Sequence, residues 1–343
     1  MTRRASLLVA TALAALALTT PAHAQSTITV YCSILEEQCR EGVAIFERAN
    51  PGTKVQMVRK STGEAYAQIK AEATNPKADV WWGGPAEPHL QAGEEGLLDT
   101  YKSPAMAGIH DWAQRLSEQS KGSSAGIYLG ALGFGYNTEI LKKKGIAPPK
   151  CWADLLDPKL KDEVQMADPN SSGTAYVMLA TIVQAMGEDK GFAYMKSLHK
   201  NISQYTKSGI APVKAVGLGE TGIAIAFLHD LVTQKLSGAP VEIAAPCEGT
   251  GYETGAVSMV KGSKLPELAK KFFDFTLSKE AQEINIKLKI HSTPSNTSAG
   301  VSPDAPKLAD MKLIAYDTAK YGASAERRRL LAKWTQDVQA GVK

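Results

Sequence analysis

Past its first two dozen residues this sequence has no long apolar run, no excess of charge of one sign and no familiar catalytic or metal-binding spacing. With nothing near 20 apolar residues after Leu18, no membrane span is expected, and the mature protein should be soluble. The formal charge of +4 includes Arg3 and Arg4; without those two it is +2, too balanced to mark a nucleic-acid binder. Spacings of the C-x-x-C or H-x-x-x-H kind are absent, so no metal site is expected. There is no G-x-S-x-G nucleophile turn, and the loop Gly249-Thr250-Gly251 lacks the lysine of a phosphate-binding P-loop. His229 and Asp230 are sequence neighbours whose side chains diverge, so they make a poor base–orienter pair. No catalytic residue, metal or cofactor is assigned; a secreted phosphate-ester hydrolase stands as the alternative from another class.

What is present begins with export. Thr2-Arg3-Arg4, an apolar stretch from Leu7 to Leu18, and Ala22-His23-Ala24 read as a cleavable signal peptide over residues 1–24, without a cysteine for lipid anchoring. The roughly 320 residues left suit two domains. Four cysteines in an oxidising compartment suggest disulfides. Of three possible pairings, nearness in sequence favours Cys32–Cys39 and leaves Cys151 with Cys247.

Along the chain, strand and helix patterns alternate. β-branched 26–32 is followed by an amphipathic helix over 36–50, the strand 53–58, a helix opened by Ser61-Thr62-Gly63-Glu64, and the strand 78–82 ending in Gly83-Gly84-Pro85. This is an α/β pattern with a mostly parallel sheet. Ligands of such sheets bind beyond the carboxyl ends of the strands, which picks out Ser33, Ser61, Thr62, Gly83 and Gly84. The glycines at 130, 133 and 135 mark a strand with close neighbours, read as the crossing into a second lobe. In that lobe Asp168-Pro169-Asn170-Ser171-Ser172-Gly173-Thr174 precedes an apolar helix. Asn170 or Ser171 is the expected cap, and the hydroxyls, free N–H groups and helix dipole together form a seat for an anion, phosphate above all. The apolar strand 221–228 runs into His229-Asp230, strands over 241–245 and 255–260 return, and Arg327-Arg328-Arg329 in a late helix reads as a solvated face.

The segments ITVYCS, ADVWWGG, GFGYNTEILKKKGIAPPKCWADLLDPKLKD and VSMVKGSKLPELAKKFFDFTLSKEAQE resemble the periplasmic solute-binding proteins of ABC importers, in the ferric-binding-like group. The resemblance covers the mature chain. It implies a two-lobed type II binding protein, α/β in each lobe, with residues 25–130 and 253–343 in lobe 1, 131–252 in lobe 2, and a ligand cleft between them. It implies a periplasmic monomer that delivers its ligand to an ABC permease and ATPase subunits. Ferric iron or a ferric chelate is the alternative ligand, but the iron-binding positions fall here on Leu35, Gly84 and Leu228-His229-Asp230, a poor set for Fe³⁺. The departures resemble the sugar-phosphate-binding branch instead: Ser33, Ser171-Ser172-Gly173-Thr174, His229-Asp230 and Glu248-Gly249-Thr250-Gly251-Tyr252-Glu253. The resemblance assigns the phosphate to Ser33, Ser171, Ser172, Thr174 and His229. Asp230 and either Glu248 or Glu253 would accept from hydroxyl or amine groups at the ligand's other end, with Thr62, Gly84, Gly173 and Tyr252 nearby. The ligand expected is a sugar phosphate, a phosphoglycerate-like molecule or an aminophosphonate.

Overall fold

A computed structural model describes residues 25–341; the proposed signal peptide, 1–24, lies outside them. The strands are β1 (Ser26–Cys32), β2 (Thr53–Arg59), β3 (Val80–Pro85), β4 (Leu98–Asp99), β5 (Ser124–Asn137), β6 (Val164–Ala167), β7 (Ile202–Thr206), β8 (Ile223–Phe227), β9 (Val241–Ala244), β10 (Tyr252–Val260) and β11 (Thr293–Pro294). Their order is β2-β1-β3-β10-β5-β8-β6-β7, with β4 on β10 and both β9 and β11 on β5. β1 is parallel to β2 and β3, and β6 is parallel to β7 and β8, as strand–helix alternation requires. β10 and β5 are the antiparallel exceptions.

Two cores make the molecule two-lobed. One gathers Ile28, Val30, Phe46, Val80, Trp82, Phe272 and Phe273 around β1 and β3. The other gathers Phe134, Trp152, Val164, Tyr176, Leu179 and Phe227 around β6 and β8. All five residues of β8 are buried, as expected of a strand covered on both faces. β8 is shorter than the apolar run suggests, because Leu228 already opens the helix Leu228–Leu236, with His229 and Asp230 in its first turn. Both expected disulfides, Cys32–Cys39 and Cys151–Cys247, are formed.

The C-terminal tail does not keep to one lobe. Tyr316, Tyr321, Leu330, Trp334 and Val338 join the core around β6 and β8. On that side Tyr176 donates its hydroxyl to the carbonyl of Tyr321 at 2.7 Å, and Arg329 pairs with Glu188 at 2.7 Å. On the other side the tail grips the helix Ala86–Glu94 and the residue after it: Arg327 Nη1 donates to Gln91 at 2.6 Å, Ser324 N–H to Glu94 at 2.6 Å, and Arg328 pairs with Glu95 at 2.6 Å. The solvated-face reading of the three arginines therefore holds only for Arg328 and Arg329. Arg327 is 2 % exposed and lies 5.5 and 4.8 Å from the ring centres of Tyr66 and Tyr176, which replace water with cation–π attraction.

Two predictions follow from this packing. Burial pushes the Glu87 carboxyl from 4.5 up to about 7, against a weaker pull from Arg327. Below pH 4.5 folded and unfolded chains are both protonated; between 4.5 and 7 only the unfolded chain releases the proton, so stability falls as pH rises. Glu87→Gln should therefore raise the melting temperature at pH 8 and leave it unchanged at pH 4, as read by differential scanning calorimetry. The Cys151–Cys247 bridge spans 96 residues, so replacing both cysteines by serine should cost about 4–5 kcal/mol in the chain-entropy account, on the order of 10 °C in melting temperature.

Candidate functional site

The carboxyl ends of the strands converge on one cleft between the lobes. From the first lobe come Ser33 after β1, Arg59 at the end of β2, Ser61 and Thr62 at the next helix start, and Gly84-Pro85 ending β3. The second contributes Ser172 and Thr174 after β6, Ser208 and Gly209 after β7, and Phe227, His229 and Asp230 after β8. Tyr128 of β5 and Glu253 of β10 form the back, on the two antiparallel strands between the lobes. The rule that ligands lie beyond strand ends thus locates nearly every wall.

Hydroxyl and backbone donors line one part of it. The Ser33 hydroxyl accepts from Trp81 Nε1 at 3.0 Å, and its own hydrogen is left to point elsewhere. Trp81 and Trp82 are both buried in the first lobe and line no part of the cleft. The cap of the helix Gly173–Met186 is Ser172, not Asn170 or Ser171; its hydroxyl accepts from Ala175 N–H at 3.4 Å. Ser171 instead donates its hydroxyl to the carbonyl of Lys207 at 2.9 Å and is not in the lining. Gly84 has φ +85°, and a Cβ there would come within 2.2 Å of the Thr62 hydroxyl oxygen, so glycine is required. Gly84 N–H donates to the Tyr128 hydroxyl at 3.3 Å.

Arg59 is the cation of the site. It is half-buried, forms no salt bridge among the described residues, and is held below its usual pKa by burial against the pull of Tyr128, Glu64, Glu36 and Asp230. An arginine kept partly dry without a carboxylate partner is a ready bidentate donor to an anionic ligand.

Facing it is a buried acidic group. His229 Nε2 lies 3.7 Å from Asp230 Oδ1 and 3.7 Å from Glu253 Oε1. Burial lowers the His229 pKa, with Asp230 opposing, which favours the neutral ring. Burial raises Asp230, against His229 and Arg59. It raises Glu253 well above the usual carboxylate range, and the charges of Asp230 and Glu87 add to that. Tyr128 donates its hydroxyl to Glu253 at 3.4 Å. Glycine makes this cluster possible: β5 places Gly130 opposite Glu253, and a Cβ on Gly130 would come within 2.3 Å of His229 Nδ1 and 3.3 Å of Glu253 Oε1. The His229 ring stacks on Phe227, 5.7 Å between centres.

The cleft brings together Ser33, Thr62, Gly84, Ser172, Thr174, His229, Asp230 and Glu253. It does not include Glu248, whose carboxylate accepts from the N–H groups of Trp152 at 2.7 Å and Ala153 at 2.9 Å, capping a turn beside the Cys151–Cys247 bridge. Nor does it include Tyr252, whose ring centre is 5.8 Å from that of Tyr316 in the second core, or Gly173, which faces Pro85 and Thr62 from outside the lining. Sequence reasoning missed Arg59 and Tyr128. Arg59 ends β2 and obeys the same strand-end rule as Ser33; Tyr128 had no signal beyond its place in the glycine-rich strand.

Comparison with known proteins gives the family. The family model for bacterial extracellular solute-binding proteins matches residues 75–321. The structure of the periplasmic binding protein AfuA from Actinobacillus pleuropneumoniae, with exogenous fructose-6-phosphate bound, superposes with a TM-score of 0.89 at 48% identity, covering 92% of this chain and 100% of that one. A Haemophilus influenzae protein of no stated function is 46% identical over 344 residues, 97% of each chain. A Salmonella paratyphi A periplasmic protein provisionally assigned to 2-aminoethylphosphonate binding is 31% identical over 276 residues, 76% of this chain and 77% of its own length. The chain belongs to the bacterial extracellular solute-binding proteins.

Proposed function

We propose that this chain is the periplasmic substrate-binding component of an ABC importer, and that it closes two lobes, one around β1 and β3 and one around β6 and β8 with the C-terminal tail, on a phosphorylated small organic molecule. The observation that carries this reading is Arg59, a cation without a salt-bridge partner among the described residues, sharing one cleft with the hydroxyls of Ser33, Thr62, Ser172, Thr174 and Ser208. Those groups, with free N–H groups at the start of the helix Gly173–Met186, suit a phosphate. Asp230 and Glu253 suit the opposite end of the ligand, where hydroxyl or ammonium groups donate to them. A hexose phosphate or an aminophosphonate meets both demands. A phosphoglycerate-like ligand, whose hydroxyl can donate to Asp230 or Glu253, stays within the class. Fructose-6-phosphate in the AfuA structure and the phosphonate assigned to the Salmonella relative support the same chemistry.

The ferric reading is weaker on this site. Fe³⁺ requires hard anionic oxygens, whereas Leu35 and Gly84 offer no side-chain ligand, the Tyr128 phenol is held protonated by burial, and Arg59 repels a cation. A hydrolase would need an activated nucleophile; His229, its pKa lowered by burial, lies against Asp230 and Glu253, and among the described residues no serine or cysteine hydrogen-bonds its ring.

The test is a thermal-shift and calorimetric screen of the mature protein against fructose 6-phosphate, 2-aminoethylphosphonate, 3-phosphoglycerate, inorganic phosphate and ferric citrate. A ligand at 100 times its dissociation constant should stabilise the protein by about 2.7 kcal/mol, a shift of a few degrees. Arg59→Met should weaken organophosphate binding about 10- to 100-fold, the worth of a charge-assisted contact. Asp230→Asn should weaken the same ligands while leaving any binding of inorganic phosphate intact. A shift with ferric citrate alone, insensitive to Arg59→Met, would overturn the ligand assignment, and turnover of p-nitrophenyl phosphate would favour the hydrolase.

A further inference from the structure

Two helices, one from each lobe, meet beside the cleft, and each has a glycine in its first turn. Gly63 is the second residue of the helix Thr62–Ala71, and Gly173 is the first of the helix Gly173–Met186. Neither has positive φ, so neither backbone demands glycine, and in a helix glycine is a poorer choice than alanine. The demand comes from across the cleft. A Cβ on Gly63 would lie 2.5 Å from the carbonyl oxygen of Asn170 and 2.8 Å from the carbonyl carbon and oxygen of Ser171, all backbone atoms of the opposite lobe. A Cβ on Gly173 would lie 2.8 Å from Pro85 Cδ and 3.1 Å from Thr62 Cβ, again across the cleft.

Hydrogen bonds join the same surfaces. Gly63 N–H donates to the Ser171 carbonyl at 3.0 Å, and the Ser61 hydroxyl donates to the Lys207 carbonyl at 3.0 Å. Amides in the first turn of a helix have no partner within it, so the Gly63 amide gains a protein acceptor only while the lobes are together. Thr62, Pro85, Ser172 and Thr174, the immediate neighbours of this contact, line the cleft itself.

We infer that Gly63, against the backbone of Asn170 and Ser171, and Gly173, against the side chains of Pro85 and Thr62, form a close-approach latch that holds the closed state and sets how long the ligand is retained. Neither glycine lines the cleft; in this role they act by letting the two first turns approach until the hydroxyl walls of both lobes reach the same occupant. The inference rests on the proposed interlobe binding reading.

The test variant is Gly63→Ala, with Gly173→Ala as an independent second. Both should keep the far-ultraviolet circular dichroism of the wild type, and Gly63→Ala should melt no lower in the absence of ligand, since alanine suits the helix. Dissociation of fructose 6-phosphate or 2-aminoethylphosphonate should speed up about tenfold, the scale of an overpacked contact, with association little changed. Lobe separation is measured without ligand, by double electron–electron resonance between spin labels on Thr74→Cys and Lys200→Cys, exposed positions one in each lobe. The short separation should be depopulated by about the same factor in each glycine variant. An unchanged distance distribution in both variants overturns the latch. If neither phosphorus compound binds the wild type, the proposed ligand class fails, and the distance distributions alone decide the latch.

Discussion

One strand, β5, constrains everything else. Its first part pairs with β10 and its last part with β8 and β9, so a single run of backbone belongs to the sheets of both lobes. The site lies where that strand passes from one to the other, and Gly130 is the point at which it gives way. A side chain there would occupy the space that the His229 ring and the Glu253 carboxyl now share. Gly133 and Gly135 make similar room for Leu228 and Leu231 of the same helix, so the helix that bears His229 and Asp230 is drawn hard against the strand. The position of the acidic cluster is thus a packing result before it is an electrostatic one.

Electrostatics then defines what the cleft accepts. Two carboxyls and an imidazole are buried together with one nearby guanidinium, and burying charge is costly unless it is paired. The protein moderates the cost by leaning towards the neutral imidazole and by raising both carboxyl pKa values, while Arg59 stays charged at the other wall. The outcome is a cleft that carries both donors and acceptors, which discriminates by mismatch as much as by attraction.

Much of this was legible in the chain. Strand ends flagged Ser33, Thr62 and Gly84; the wholly apolar run put His229-Asp230 at the end of a buried strand, and the resemblance to the sugar-phosphate-binding branch gave that pair its role. What was hidden depended on direction. Glu248 and Glu253 are five residues apart in one loop-and-strand segment, yet Glu253 sits on β10 opposite Gly130 while Glu248 turns back to cap the chain at Trp152. Ser171 and Ser172 are adjacent, and only the turn geometry decides that one bonds Lys207 and the other caps the helix. Arg59 and Arg327 carry the same side chain in unremarkable contexts; one ends in the cleft and the other between two tyrosines, and only tertiary packing separates them.

The interleaved connectivity also bears on the order in which the two lobes can be completed. β10 lies between β3 and β5, so the first lobe's sheet lacks an interior strand until residues 252–260 have been made. The tail from Tyr316 onward then completes the second core and ties it to the helix Ala86–Glu94. A ribosome-bound chain short of these segments has no finished lobe to fold. In a polypeptide built this way neither lobe is complete without residues from 252 onward, so late segments decide the packing of both cores.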